Sequence, residues 1–313
     1  MRKLLALSVI LLTQTVQADA SGLQSAIDAA RRACGGISEE MSDMKKKAGI
    51  TTAVTAVGTV SSGVALGAGI AKAKTDEELD DLLQQQFNSM LSGNSGSMQG
   101  LQLIPSGNHT YGQLSEAEKT SIEDSIEELY SKSKKLGNLR TGTMAAATVT
   151  NIAGAALAGT NTVKEDLETR IKNCIAKVDE LSRAKLQASI DGSASSQQIS
   201  HAEAIYNACS GWSTVDLSPI NKRAKGAAIA SGVGAGLGLA GTITSGVANS
   251  NDIRSERAED GGITDKEKNL NKASNILAGG TAAAGLASTV FSATQISAIK
   301  RAATVADECE GAL

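Results

Sequence analysis

Few residues in this chain could do chemistry. Four cysteines stand at Cys34, Cys174, Cys209 and Cys309, and two histidines at His109 and His201. A redox pair would need C-x-x-C, and a metal centre would need tighter ligand spacing, usually with histidine; neither pattern is present. The chain also lacks G-x-S-x-G, a P-loop and H-E-x-x-H. His109 falls in a glycine-rich stretch and His201 near a helix start, each without a partner at ligand or triad spacing. No catalytic, cofactor-binding or metal-binding residue is expected, no small-molecule substrate is evident, and an enzyme is the least supported class. The cysteines read as two structural disulfides.

One run imitates a cofactor site. Gly236-Leu-Gly238-Leu-Ala-Gly241 spells G-x-G-x-x-G. A dinucleotide fingerprint follows a strand and opens a helix, whereas this match sits in the middle of a helical repeat of small residues. It reads as helix packing. The acidic run DEELDD at 76–81 reads as a solvated helix face. Asn108-His-Thr110 has the form of a glycosylation sequon, and Trp212, the sole tryptophan, is expected to pack beside a disulfide.

The elements that position these residues follow from composition. Aromatics are 2% of the chain, so a core must be built from small and medium aliphatic side chains, which favours helices in close contact. There are two prolines and no alternating β-branched run long enough for a strand, so the class is all-α. Four stretches carry no charge: 48–71, 141–163, 226–251 and 273–299. As helices each would run about 35–40 Å, enough to cross a bilayer core of about 30 Å. In the third, small residues recur every four positions at Ala230, Gly234, Gly238, Thr242 and Gly246, with Ile229, Val233, Leu237, Ile243 and Val247 on another face. Gly63 and Gly67 repeat that spacing in the first, beside Val54, Val57, Val60 and Val64. This small-xxx-small row resembles the glycine-zipper pattern of oligomeric membrane helices, a packing device and not a family, and implies a close helix–helix seam.

The chain is duplicated. SAIDAARRACGG (25–36) parallels HAEAIYNACSGW (201–212), and VKEDLETRIKNC (163–174) takes the place of IKRAATVADEC (299–309). Each copy runs cysteine, basic cluster, charge-free segment, polar connection, second charge-free segment, cysteine. The expected fold is two tandem, duplicated, disulfide-closed long helical hairpins with Gly/Ala-rich packing segments. Unit 1 would span 21–187 and unit 2 201–313, with a linker at 188–200. Four cysteines allow three pairings; the duplication selects Cys34 with Cys174 and Cys209 with Cys309. Capping boxes are expected at Ser115–Glu118, Thr264–Glu267 and Ser200–Glu203.

Residues 1–20 combine Arg2 and Lys3, an apolar run from Leu4 to Leu12 and small residues before Ala18 and Ala20, which reads as a cleaved signal peptide. The chain would be exported to the periplasm or cell envelope. Its net charge of −3 excludes nucleic acid as a general partner. Two readings remain. In the first, the hairpins insert in or associate with a membrane in a structural, pore or remodelling role, with lipid or other helices as partners and the cysteines on the non-cytoplasmic side. In the second, the chain is a soluble extracytoplasmic helical scaffold, its charge-free segments coated with Ser, Thr and Gly, interacting with itself or a protein partner.

Overall fold

The computed structural model describes residues 22–93, 115–251, 253 and 262–313. Residues 1–20, where a signal peptide is expected, the glycine-rich connection holding Asn108 and His109, and most of the shorter connection near 252–263 lie outside the described residues. The elements are α1 (22–34), α2 (Ile37–Gly93), α3 (Glu116–Thr160), α4 (Glu165–Asp191), α5 (Ser196–Cys209), a 3-10 turn (Ser210–Thr214), α6 (Ser218–Ala248) and α7 (Asp265–Ala312). No strand occurs among the described residues. The fold is all-α, and its long helical hairpins are closed by Cys34–Cys174 and Cys209–Cys309, the pairing that the duplication implies.

Local sequence sets the helix ends. At the start of α3 the Ser115 N–H donates to the Glu118 carboxylate (2.8 Å) and the Glu118 N–H to Ser115 Oγ (3.3 Å), a reciprocal capping box. The Glu267 N–H likewise donates to Thr264 Oγ1 (3.2 Å) ahead of α7. The third box differs from expectation: Ser195 and Gln198 form it, and Ser200 lies inside α5. Gly192, left-handed at φ 60°, ends α4 early enough that the next helix has begun by Ser196.

The chain divides into two compact units, each drawing on both copies of the repeat. One comprises residues up to Ala53, then Ala156–Ala228 and Val290–Leu313; the other comprises Val54–Ala155 and Ile229–Thr289.

The first unit is built as a protein in water is built. Leu23, Ile27, Ile37, Met41, Leu167, Ile171, Leu181, Ile205, Ile220 and Ile299 form its buried cluster, together with all four cysteines and Trp212. Along α4 the buried residues Leu167, Ile171, Cys174, Val178 and Leu181 alternate steps of four and three, while acidic and basic residues occupy the other faces. At the α1–α2 joint Gly36 adopts φ 76°, a conformation that favours glycine, and Arg170 pairs with Glu40 and donates to the Gly35 carbonyl (3.0 Å). The two bridges adjoin: the sulfurs of Cys34, Cys209 and Cys309 lie within 4.8 Å of one another.

The second unit reverses that arrangement. Within its charge-free stretches the buried positions are Gly, Ala, Ser, Thr and Asn, with Met144 the one large aliphatic among the described residues. Its exposed positions include Val57, Val60, Val64, Val149, Ile152, Ile229, Val233, Ile243 and Ile276. Val60 is 66% exposed and Ile229 68%, while Ser62 and Ser231 beside them are fully buried. The hydroxyls face inward and the aliphatics outward, opposite to the Ser/Thr/Gly coat of the soluble alternative.

Candidate functional site: the polar interior of the charge-free helices

Inward-facing residues of this unit follow one rule. On α6 they are Ser231, Gly234, Gly238, Gly241, Ser245 and Ala248; on α7, Glu267, Asn271, Ser274, Ala278, Thr281, Gly285 and Ser288. Ser133, Gly137, Arg140, Met144, Ala147, Asn151 and Gly154 line α3, and Thr55, Gly58, Ser62, Ala65, Gly69, Lys72, Asp76 and Leu79 line α2. Every row alternates steps of three and four. That is a heptad phase, averaging 3.5 residues per turn, and it keeps one seam facing its neighbours along the whole helix. Here the a and d positions carry small or polar residues where a soluble coiled coil carries leucine.

Side chains of one helix seat on glycines of another. A methyl group at Gly238 would lie 2.6 Å from Thr148 Oγ1, one at Gly58 2.7 Å from Thr150 Oγ1, and one at Gly285 2.8 Å from Thr59 Oγ1. Asn249 occupies the corresponding space at Gly137, Asn275 at Gly69 and Met144 at Gly241. Several buried hydroxyls find acceptors in their own helix: Ser62 donates to the Gly58 carbonyl (2.8 Å) and Thr148 to the Met144 carbonyl (2.9 Å). Others cross between helices, as Ser231 with Ser288 (2.6 Å) and Thr141 with Ser245 (2.7 Å). Such interhelical bonds average about 0.6 kcal/mol each in membrane helices, so close packing carries most of the association. Asn151 is fully buried, and neither amide atom has a partner.

The seven positions read from the sequence as a seam fall in three groups. Gly234 and Gly238 lie on the buried row. Ala230 and Thr242 are half-buried. Gly63, Gly67 and Gly246 are exposed, and a methyl group at any of them would meet nothing within 4 Å. The reason is geometric: a strict four-residue step advances about 40° each time and leaves the contact face within a few turns.

A buried charge cluster follows at one end of the heptad rows. Arg140 donates to Ser245 Oγ (2.9 Å), Asn271 Oδ1 (2.8 Å) and Asn275 Oδ1 (3.3 Å). Lys72 pairs with Asp76 (2.5 Å) and Glu267 (3.3 Å), and Ser133 and Asn271 donate to the Asp76 carboxylate. Two cations face two carboxylates, and all four side chains are buried. Burial pulls the Arg140 guanidinium below its ordinary value, while the charges of Asp76 and Glu267 push it back up. Beside the cluster a cleft of about 790 Å³ is lined by Glu77, Asp80, Asp81, Lys268, Lys272 and Ile276. Asp80 there accepts from Lys268 and from the Ile263 N–H, both at 3.1 Å. The expectation of a solvated DEELDD face is therefore corrected. Glu77, Glu78 and Asp81 are exposed, but Asp76 is buried because it occupies a heptad position one turn after Lys72 and facing Asn271.

Arg140, Lys72 and Asn151 carry no motif in the sequence, Asp76 is legible there only as part of an acidic run and Glu267 only as a capping residue. Their signal is phase: each stands at a three-or-four step from the next member of its own row. His201 is exposed, and Trp212 is buried in the cluster that holds both bridges. The sequence and the fold of this chain match no family model, no curated protein and no solved structure.

Proposed function

We propose that this is an exported, non-enzymatic protein of the cell envelope whose charge-free helices lie in a membrane and hold together through seams of small residues. The observation that carries the reading is the reversed burial of the second unit. In water, each exposed Val or Ile would forgo roughly 1.5–3 kcal/mol of burial, while buried hydroxyls and amides would gain nothing from being hidden. In hydrocarbon, outward aliphatics are solvated and inward hydroxyls are shielded.

Length and composition agree. The helical stretch Gly22–Asn88, which contains α1 and most of α2, together with α6 and α7, is long and apolar enough to cross a membrane, and no more than a third of the most apolar window in each is buried. The charge-free part of α3 averages lower because Thr148 and Asn151 weigh on the mean; both face inward, and its exposed row is Gly142, Ala146, Val149, Ile152 and Ala156.

The close seating of side chains on glycines supports a packed helical anchor over an open channel within one copy. Gly63, Gly67 and Gly246, where an added methyl group would meet nothing within 4 Å among the described residues, are the positions available to a second copy or another membrane helix. Export places the cysteines on the oxidising, non-cytoplasmic side, where bridges persist.

The test is alkaline carbonate extraction of membranes from cells making the full chain. Retention in the pellet is expected. Release to the supernatant would overturn insertion and support an exported soluble scaffold.

A further inference from the structure

The first unit contains a cleft of about 480 Å³ whose chemistry is mixed. Its apolar wall is Ile171 and Ile175 on α4 with Val215 and Leu217, and Trp212 also lines it. Its basic rim is Lys222 and Lys225, one turn apart at the start of α6 and immediately ahead of the charge-free stretch 226–251. The other charged groups of the cleft and Asn221 are already engaged. Glu168 pairs with Lys172 (2.8 Å), Asp216 accepts from the Ser218 N–H (2.8 Å), and Asn221 accepts from the Val163 N–H (2.7 Å). Lys222 and Lys225 are exposed and form no ion pair among the described residues. Trp212 is 2% exposed, and its indole N–H is buried without an acceptor among the described residues.

Two uncommitted cations, an aliphatic wall and a buried indole donor form a set that suits an anion carrying a hydrocarbon chain. We infer that this cleft binds an anionic phospholipid, its phosphate held by Lys222 and Lys225 and its chain laid against Ile171, Ile175 and Leu217. Inorganic phosphate offers the charge without the chain and leaves the aliphatic wall uncovered. A zwitterionic lipid offers the chain but carries its own cation to the lysines. Basic residues next to a spanning segment and a tryptophan at its border occur where headgroups lie. The inference rests on the membrane reading for its supply of lipid, and its test uses no bilayer, so the two can fail separately.

Trp212 is the only tryptophan, so intrinsic fluorescence reports this cleft alone. The purified full chain, in an uncharged detergent, is titrated with dihexanoyl phosphatidylglycerol below its micelle-forming concentration. Parallel titrations use dihexanoyl phosphatidylcholine and inorganic phosphate. A saturable change in Trp212 emission is expected with phosphatidylglycerol, at concentrations where the other two give none. Lys222→Gln and Lys225→Gln should each weaken it roughly fivefold. Lys45→Gln with Lys46→Gln, which also flank a charge-free stretch but lie outside the cleft, should leave it unchanged. Circular dichroism of each variant checks that it folds. An equal response to phosphatidylcholine, a response saturated by phosphate alone, no response, or wild-type binding by the folded Lys222→Gln/Lys225→Gln variant would each overturn the proposal.

Discussion

At the residue scale the decisive group is Arg140. It is fully buried, and its three hydrogen bonds all go to neutral side chains, so its charge is balanced at longer range by Asp76 and Glu267. Removing one member of such a cluster leaves an unmatched buried charge, which typically costs about 3–5 kcal/mol. Arg140→Met should therefore lower the thermal unfolding midpoint strongly, followed by circular dichroism in detergent. Adding Glu267→Gln to Arg140→Met returns the cluster to one cation and one carboxylate and should recover part of the loss. If the double variant is less stable than Arg140→Met by the full cost of a second lesion, charge balance is not what holds the cluster. Lys268→Gln is the contrast, since its partner Asp80 sits in an open cleft and the lysine is half exposed; the change there should stay within about 1 kcal/mol.

At the element scale the heptad phase separates two kinds of glycine. Gly238 sits where a methyl group would lie 2.6 Å from Thr148 Oγ1 and 3.4 Å from Thr148 Cα, so Gly238→Ala should overpack the seam and destabilise by about 1–3 kcal/mol. Gly63 and Gly67 have open space, so Gly63→Ala and Gly67→Ala should stabilise the helix by about 0.5–1 kcal/mol through propensity alone. Thermal melts of the three variants decide the matter, and a reversed order would refute the phase assignment. Should Gly63→Ala instead shift the protein to smaller oligomers on size exclusion, that glycine faces a second copy. The comparison also marks how much was legible in advance. The cysteine pairing and the charge-free stretches could be read directly, because duplication and an absence of charge are one-dimensional signals. The phase was missed because helix periodicity is ordinarily sought in apolar residues. In these rows Lys72, Asp76 and Asn151 share the inward register with Ala65 and Ala147, while valine and isoleucine lie outside. A strict four-residue spacing of small residues coincides with the inward row at Gly234 and Gly238 and has left the face by Gly246.

At the scale of the whole molecule, the two units are held together by different means. The first is stabilised by a buried aliphatic cluster and by bridges that close loops of 140 and 100 residues. The chain-entropy model assigns such loops about 4–5 kcal/mol each, an upper value because engineered and native bridges often deliver less. The second unit contains no cysteine, and its cohesion comes from side chains seated on glycines and from hydroxyls bonded within and between helices. Reduction should therefore act on one and spare the other. Hydrogen exchange in detergent, with and without a thiol reductant, can follow 165–181 on α4 and 274–288 on α7 separately. Protection of the α4 peptides should fall by several orders of magnitude on reduction, since about 1.4 kcal/mol is one factor of ten. Protection of the α7 peptides should change little. Equal loss in both would mean that the polar seam has no cohesion of its own and depends on the bridged unit for its order. Retention in the α7 peptides alone would mean that a heptad of small polar residues suffices to hold these helices once hydrocarbon or detergent covers their aliphatic faces.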